Sequence, residues 1–195
     1  RPRRQHRAHA FAKANPRSAS FFAPAAQHHA VAVFQPSALF AVGQGNRVLA
    51  AGGQLDQRRK ADEHAACHAV EEGRGVLVAA PTGAGKTVVG EFAAFSSLAR
   101  GKKCFYTTPI KALSNQKYSE LKARYGSDKV GLLTGDTNIN ADAQILVMTT
   151  EVLRNMIYAN SSTIDQLKYV VMDEVHYLAD KFRGAVWEEI LIHLS

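Results

Sequence analysis

The stretch Gly75-Val-Leu-Val-Ala-Ala80-Pro-Thr-Gly-Ala-Gly-Lys86-Thr-Val-Val-Gly-Glu-Phe-Ala-Ala-Phe95 decides the architecture. Its first six residues form an apolar run of the length of a buried parallel strand, and Thr82-Gly83-Ala84-Gly85 cannot comfortably extend it. From Lys86 onward the apolar residues recur at helical spacing, so the loop delivers its backbone N–H groups to a helix N-terminus. Such an end carries about half a positive charge and unpaired donors, which suits a polyphosphate. Lys86 is placed to reach the β- and γ-phosphates of ATP, and the Thr87 hydroxyl to ligate Mg²⁺. Gly83 and Gly85 let the backbone approach without a Cβ in the way. Ala80 stands where this pattern usually has its first Gly.

A second stretch, Tyr169-Val-Val-Met-Asp-Glu-Val-His176, reads as a strand ending in two adjacent carboxylates. It is expected to lie beside the first strand, with its carboxyl end opening onto the same crevice. Asp173 would hold Mg²⁺ through water, and Glu174 would orient and deprotonate the attacking water. His176 could link the γ-phosphate region to a neighbouring surface. An Asp-Glu pair after a strand is by itself commonly a solvated strand end; behind a phosphate loop it points to hydrolysis.

Three further strand ends fall between these stretches. Cys104-Phe-Tyr-Thr-Thr108 reads as a strand, and Pro109 suits the first turn of a helix begun by Ile110-Lys111-Ala112-Leu113. Val130 to Thr134 leads into a tight turn at Gly135-Asp136, and Ile145 to Met148 passes through Thr149-Thr150 into another helix. Helix N-termini and threonine hydroxyls gathered at one sheet edge would grip a sugar-phosphate backbone without reading bases. Singly, each is also an ordinary strand-to-helix connection.

Thr108-Pro-Ile-Lys-Ala-Leu-Ser-Asn-Gln-Lys117, Leu132-Leu-Thr-Gly-Asp136, Thr149-Thr-Glu-Val-Leu-Arg-Asn-Met156 and Met172-Asp-Glu-Val-His-Tyr-Leu-Ala-Asp180 together resemble the first motor domain of superkiller-type DExH helicases of superfamily two, in particular the bacterial HelY-type branch. The resemblance runs from about Ala65 to Ser195. It implies a RecA-like domain that uses ATP and Mg²⁺ on a single-stranded RNA or DNA track, RNA in the first place. By position it carries over the nucleotide residues Thr82, Gly83, Ala84, Gly85, Lys86, Thr87, Asp173 and Glu174, and the nucleic-acid segments at Thr108, Pro109, Lys111, Gly135, Thr149 and Thr150. It also implies an aromatic-Gln adenine reader just upstream of Ala66-Cys67, where this chain has Asp62-Glu63. A carboxylate cannot both donate to and accept from the adenine edge unless protonated.

Composition limits the remaining possibilities. With 195 residues, 46% of them hydrophobic, the chain can build the core of one domain. No apolar run reaches the 18 or more residues that a membrane helix requires. Cys67 and Cys104 form neither a disulfide framework nor a zinc pattern, which fits a reducing, cytoplasmic compartment. His64, Cys67 and His68 share a helical face, where surface histidines beside a core cysteine are the simpler reading than metal ligands. The net charge of +7 does not argue for a nucleic-acid partner: seven Arg or Lys and no acid precede Asp56, and from there on the chain holds 17 of each sign.

That acid-free beginning, with Arg1-Pro-Arg-Arg-Gln-His-Arg7 at its head, shows no sustained period beyond short apolar runs such as Ala30 to Phe34. Residues 1–60 are expected to be a basic, poorly ordered leader. Their composition also suits a transit-type segment or a nucleic-acid-binding arm, and a shifted reading frame or a misplaced start would explain the missing adenine reader. Translating the coding DNA in the other two frames checks the last idea, which fails if neither frame encodes an aromatic-Gln segment. Residues 61–195 are expected to be a three-layer α/β, RecA-like domain with a mostly parallel sheet. The resemblance implies that a Ser-Ala-Thr motif and a second motor domain, which supplies arginines to the ATP site, would follow. The function expected of the parent protein is an ATP-dependent helicase, the fragment alone being weak. The alternatives are a duplex DNA translocase and an inert nucleotide-binding module. A small-molecule kinase leaves Thr149-Thr150-Glu151-Val152 and Asp173-Glu174-Val175-His176 without a task.

Overall fold

Strict alternation within the apolar runs builds the layers. The computed structural model describes residues 29–34, 47–50, 56–80, 86–180 and 184–193. Its strands are β1 (His29–Phe34), β2 (Arg47–Ala50), β3 (Val76–Ala80), β4 (Lys103–Thr108), β5 (Val130–Leu133), β6 (Asn138–Ile139), β7 (Ile145–Thr149) and β8 (Leu167–Met172). The helices are α1 (Asp56–Glu71), α2 (Lys86–Ala99), α3 (Lys111–Tyr125), α4 (Thr150–Tyr158) and α5 (Gly184–His193). On β4, β7 and β8, Cys104, Tyr106, Ile145, Val147, Tyr169 and Val171 point into one core, where Ala66, Val89 and Leu121 bring in α1, α2 and α3. The intervening Phe105, Leu146, Met148, Val170 and Met172 point into a second core with Leu153 of α4 and Trp187 and Ile190 of α5. A sheet with period-2 side chains and helices on both faces is the three-layer arrangement expected.

Among the described residues the strands join one sheet in the order β2-β3-β1-β8-β4-β7-β5-β6. The pairs β2·β3, β4·β8, β4·β7 and β5·β7 are parallel. β6 closes an antiparallel hairpin onto β5, and β1 is antiparallel to both of its neighbours. The sequence placed β8 directly beside the phosphate-loop strand β3, and the structure corrects this. β1 stands between them, pairing Val31 with Val78 on one side and Val33 with Val171 on the other. The short apolar run at Ala30 to Phe34 is what fills the slot, and Val33 is buried there. Because β1 opposes both, β3 and β8 run parallel to each other, two strand spacings or about 10 Å apart. Their carboxyl ends therefore still share one edge.

Candidate functional site

The carboxyl edge gathers β3, β8, β4 and β7, and the helix that follows β3 starts with Lys86 and Thr87. Thr82, Gly83, Ala84 and Gly85 lie outside the described residues. Lys86 is half-buried; burial lowers its amine below the usual lysine range, while the nearby Glu174 and Asp173 carboxylates pull it back up. The structure thus brings the phosphate-loop lysine within electrostatic reach of both acids. Thr87 sits in the first turn of α2 and is exposed.

Asp173 leaves β8 with both carboxylate oxygens occupied. The Glu174 backbone N–H donates to Oδ1 at 2.9 Å, and the Tyr106 hydroxyl donates to Oδ2 at 2.9 Å. Its own N–H donates to the Thr107 carbonyl at 2.9 Å, which ties the end of β8 to the end of β4. Burial raises the Asp173 carboxyl above the usual range, and the Tyr106 hydrogen bond works against that. Glu174 has φ 57 and ψ 45, left-handed values for a residue with a Cβ. Such backbone costs about 1–3 kcal/mol and persists only where its surroundings enforce it. Here it turns the chain from β8 into the short 3₁₀ turn Val175–Ala179, so that consecutive acids diverge. Glu174 Oε2 lies 3.1 Å from His176 Nδ1, which places the histidine on the base candidate rather than on the metal candidate. Thr87 and Asp173 would offer oxygen donors, the donor type that fits Mg²⁺.

The candidate track lies farther along the same edge. Thr150 Oγ1 donates to the Thr108 carbonyl at 3.1 Å, and the Thr108 and Ser114 hydroxyls are 2.7 Å apart. Lys111 Nζ is 2.5 Å from Asp136 Oδ2, and Thr134 Oγ1 donates to Asp136 Oδ1 at 3.0 Å. Gly135 occupies the turn of the β5–β6 hairpin, closed by the Thr134 and Thr137 backbones, with open space where a Cβ would stand. Thr108, Lys111, Gly135 and Thr150 are thereby brought together, with the buried Thr149 immediately before α4. Pro109 is displaced from its expected place. Ile110, extended at φ −141 and ψ 149, caps α3, so the proline precedes the helix instead of entering its first turn. Neither Ile110 nor Thr149 makes a side-chain cap bond, so the first N–H groups of both helices have no capping side chain.

Sequence reasoning missed Tyr106, Ser114, Lys117 and Asp136. Asp136 ends the motif Leu132-Leu-Thr-Gly-Asp136, but its pairing with Lys111 comes from a separate element. Tyr106 could have been found from parity: it shares the face of β4 that, two residues beyond Val171 on β8, points Asp173 inward. Within α1, Glu63 is half-buried, and His68 Nδ1 lies 3.3 Å from Glu72 Oε1.

Residues 60–195 match the model of the DEAD/DEAH box helicase family. The chain is 67% identical over 129 residues to a probable helicase HelY of Mycobacterium tuberculosis, covering 66% of this chain and 14% of that protein. It is 54% identical over 125 residues to the ATP-dependent RNA helicase mtr4 of Schizosaccharomyces pombe, covering 64% and 11%. It is 49% identical over 129 residues to the antiviral helicase SKI2 of Saccharomyces cerevisiae, covering 66% and 10%. These matches bear out the resemblance to superkiller-type helicases, and the chain spans a small fraction of the length of each relative. With a mostly parallel sheet between two helix layers, Lys86 within electrostatic reach of Asp173 and Glu174, and a family match over residues 60–195, this chain belongs to the DEAD/DEAH box helicase family.

Proposed function

We propose that residues 61–195 form the ATP-binding motor domain of an ATP-dependent helicase that moves on single-stranded nucleic acid, with RNA as the first candidate. The observation that carries this reading is the convergence of Lys86, Asp173 and Glu174 at the sheet edge that also carries the Thr108–Thr150 cluster and Lys111. Lys86, with Thr82, Gly83, Ala84, Gly85 and Thr87, binds the phosphates. Thr87 and Asp173 hold Mg²⁺, which, when bound, neutralises charge on the transferred phosphoryl group. Glu174 takes the proton of the attacking water, and His176, 3.1 Å from it, fixes its carboxylate. The uncapped starts of α3 and α4, together with Lys111, take backbone phosphates. RNA is favoured because mtr4, a relative at 54% identity, is named an RNA helicase.

A second RecA-like domain would close onto this edge and complete the ATP site, so slow turnover by the chain alone is expected. Among the described residues no helix is long and apolar enough to cross a membrane. The free Cys67 and Cys104 suit a reducing cytoplasm.

Steady-state ATPase assays with single-stranded RNA, single-stranded DNA and duplex test the reading. Stimulation by single strands that is lost in Lys86→Ala and Glu174→Gln supports it. Stimulation by duplex alone would indicate a translocase, and equal, negligible turnover in all three proteins an inert module.

A further inference from the structure

Tyr106 is a buried polar group that the proposed chemistry does not use. It sits in the middle layer with 0% exposure, and its hydroxyl donates to Asp173 Oδ2 at 2.9 Å. Three elements hold its ring. β4 supplies its backbone; Gly90 of α2 faces it so closely that a Cβ there would lie 3.2 Å from Cε2 and 3.4 Å from the hydroxyl; and Lys117 of α3 places Nζ 5.5 Å from the ring centroid. Lys117 is itself only 9% exposed and is anchored 2.5 Å from Glu120. Burial and the adjacent Asp173 push the phenol well above its ordinary range. With Oδ1 already taken by the Glu174 N–H, the hydroxyl on Oδ2 fixes the second torsion of the Asp173 side chain. Each oxygen keeps a lone pair for a metal or its water.

We propose that Tyr106 is a positioning residue: its hydroxyl orients the Asp173 carboxylate toward Mg²⁺, and its ring links that carboxylate to α2 behind the phosphate loop and to α3 behind the nucleic-acid edge. The inference rests on the reading of Asp173 as a metal-binding carboxylate. Groups that orient a metal ligand typically contribute 10- to 100-fold to metal affinity. Tyr106→Phe keeps the ring and its packing and removes the one donor.

The test is the Mg²⁺ dependence of binding of a fluorescent N-methylanthraniloyl-ADP, followed at equilibrium in wild type, Tyr106→Phe and Lys117→Met, with EDTA giving the metal-free affinity and circular dichroism matching the folded fractions. The expected result for Tyr106→Phe is a Mg²⁺ midpoint raised about tenfold, with metal-free nucleotide affinity within twofold of wild type. Lys117→Met, which leaves the hydroxyl in place, should shift the midpoint less. An unchanged midpoint in Tyr106→Phe beside a Mg²⁺-dependent wild type overturns this inference alone. Equal losses with and without Mg²⁺, or a larger shift in Lys117→Met, overturn it too, since packing or the ammonium charge would then be responsible. Wild type binding the nucleotide without any Mg²⁺ dependence would overturn the metal-site reading, and this inference with it.

Discussion

Two lysines buried to nearly the same degree flank β4, Lys103 at its amino end and Lys117 reaching it from α3, and the two are held in opposite ways. At the amino end Lys103, 8% exposed, donates from Nζ to the carbonyls of Asp142 and Ala143 at 2.7 and 3.0 Å. Beside it lies a cavity of about 340 Å³ lined also by Gln144, Ser162 and Gln166. At the carboxyl end Lys117, 9% exposed, meets Glu120 and the face of Tyr106, whose hydroxyl reaches Asp173. The first lysine is satisfied by backbone that belongs to the fold. The second is satisfied by side chains, one of which ends on a candidate catalytic group. The cavity therefore lies at the edge opposite the proposed site: a hollow in the surface does not by itself mark a site, and the proposed one rests on charged side chains at strand carboxyl ends.

The comparison can be broken from the carboxyl end first. Glu174→Gln should lower ATP turnover by about 10²- to 10⁴-fold while leaving ATP affinity within a few-fold, because it removes a proton acceptor and retains shape. Nucleic-acid-stimulated ATPase and nucleotide titration check both halves, and equal losses in the two would assign Glu174 to binding instead. At the amino end, Lys103→Met leaves the Asp142 and Ala143 carbonyls without their donor. It should cost about 1–3 kcal/mol of stability, read by urea unfolding, with ATP affinity unchanged. A loss of ATP affinity there would erase the distinction between the two ends.

The smallest effect concerns the residue beside Lys103. Burial pushes the Cys104 thiol up to about 12, and burial followed by the nearby Glu63 raises that of Cys67. A thiol reagent at pH 8 meets almost no thiolate at Cys104, so that residue should react only on unfolding. Half-buried Cys67 should react slowly in the native chain. Two native thiols reacting at equal rates would show that the amino end of β4 is open.

How legible this fold was depended on whether a residue's role is local. Strand, loop and helix around Lys86 follow from one apolar run and two glycines, and the same rule located β4, β7, β8 and their helices. The apolar run Ala30 to Phe34 lies in a segment whose composition reads as a poorly ordered leader, and its place as β1 beside β3 was not legible, because its antiparallel pairing depends on residues at Val78 and Val171, far along the chain. The site divides in the same way. Lys86, Asp173 and Glu174 stand in motifs with fixed spacing. The Tyr106–Asp173 contact spans 67 residues and the Lys111–Asp136 pair 25, so neither has a spacing to read. The left-handed backbone of Glu174 was hidden for another reason: a residue with a Cβ carries no local signal for that conformation.

Whether the carboxyl edge binds ATP is decided most directly by calorimetric titration of ATP with Mg²⁺ into wild type, Lys86→Ala and Lys103→Met. The account predicts binding of one ATP to wild type and to Lys103→Met with similar affinity, and a loss of at least about tenfold in Lys86→Ala, equivalent to 1.4 kcal/mol. Equal affinity in wild type and Lys86→Ala, or a loss confined to Lys103→Met, would contradict it.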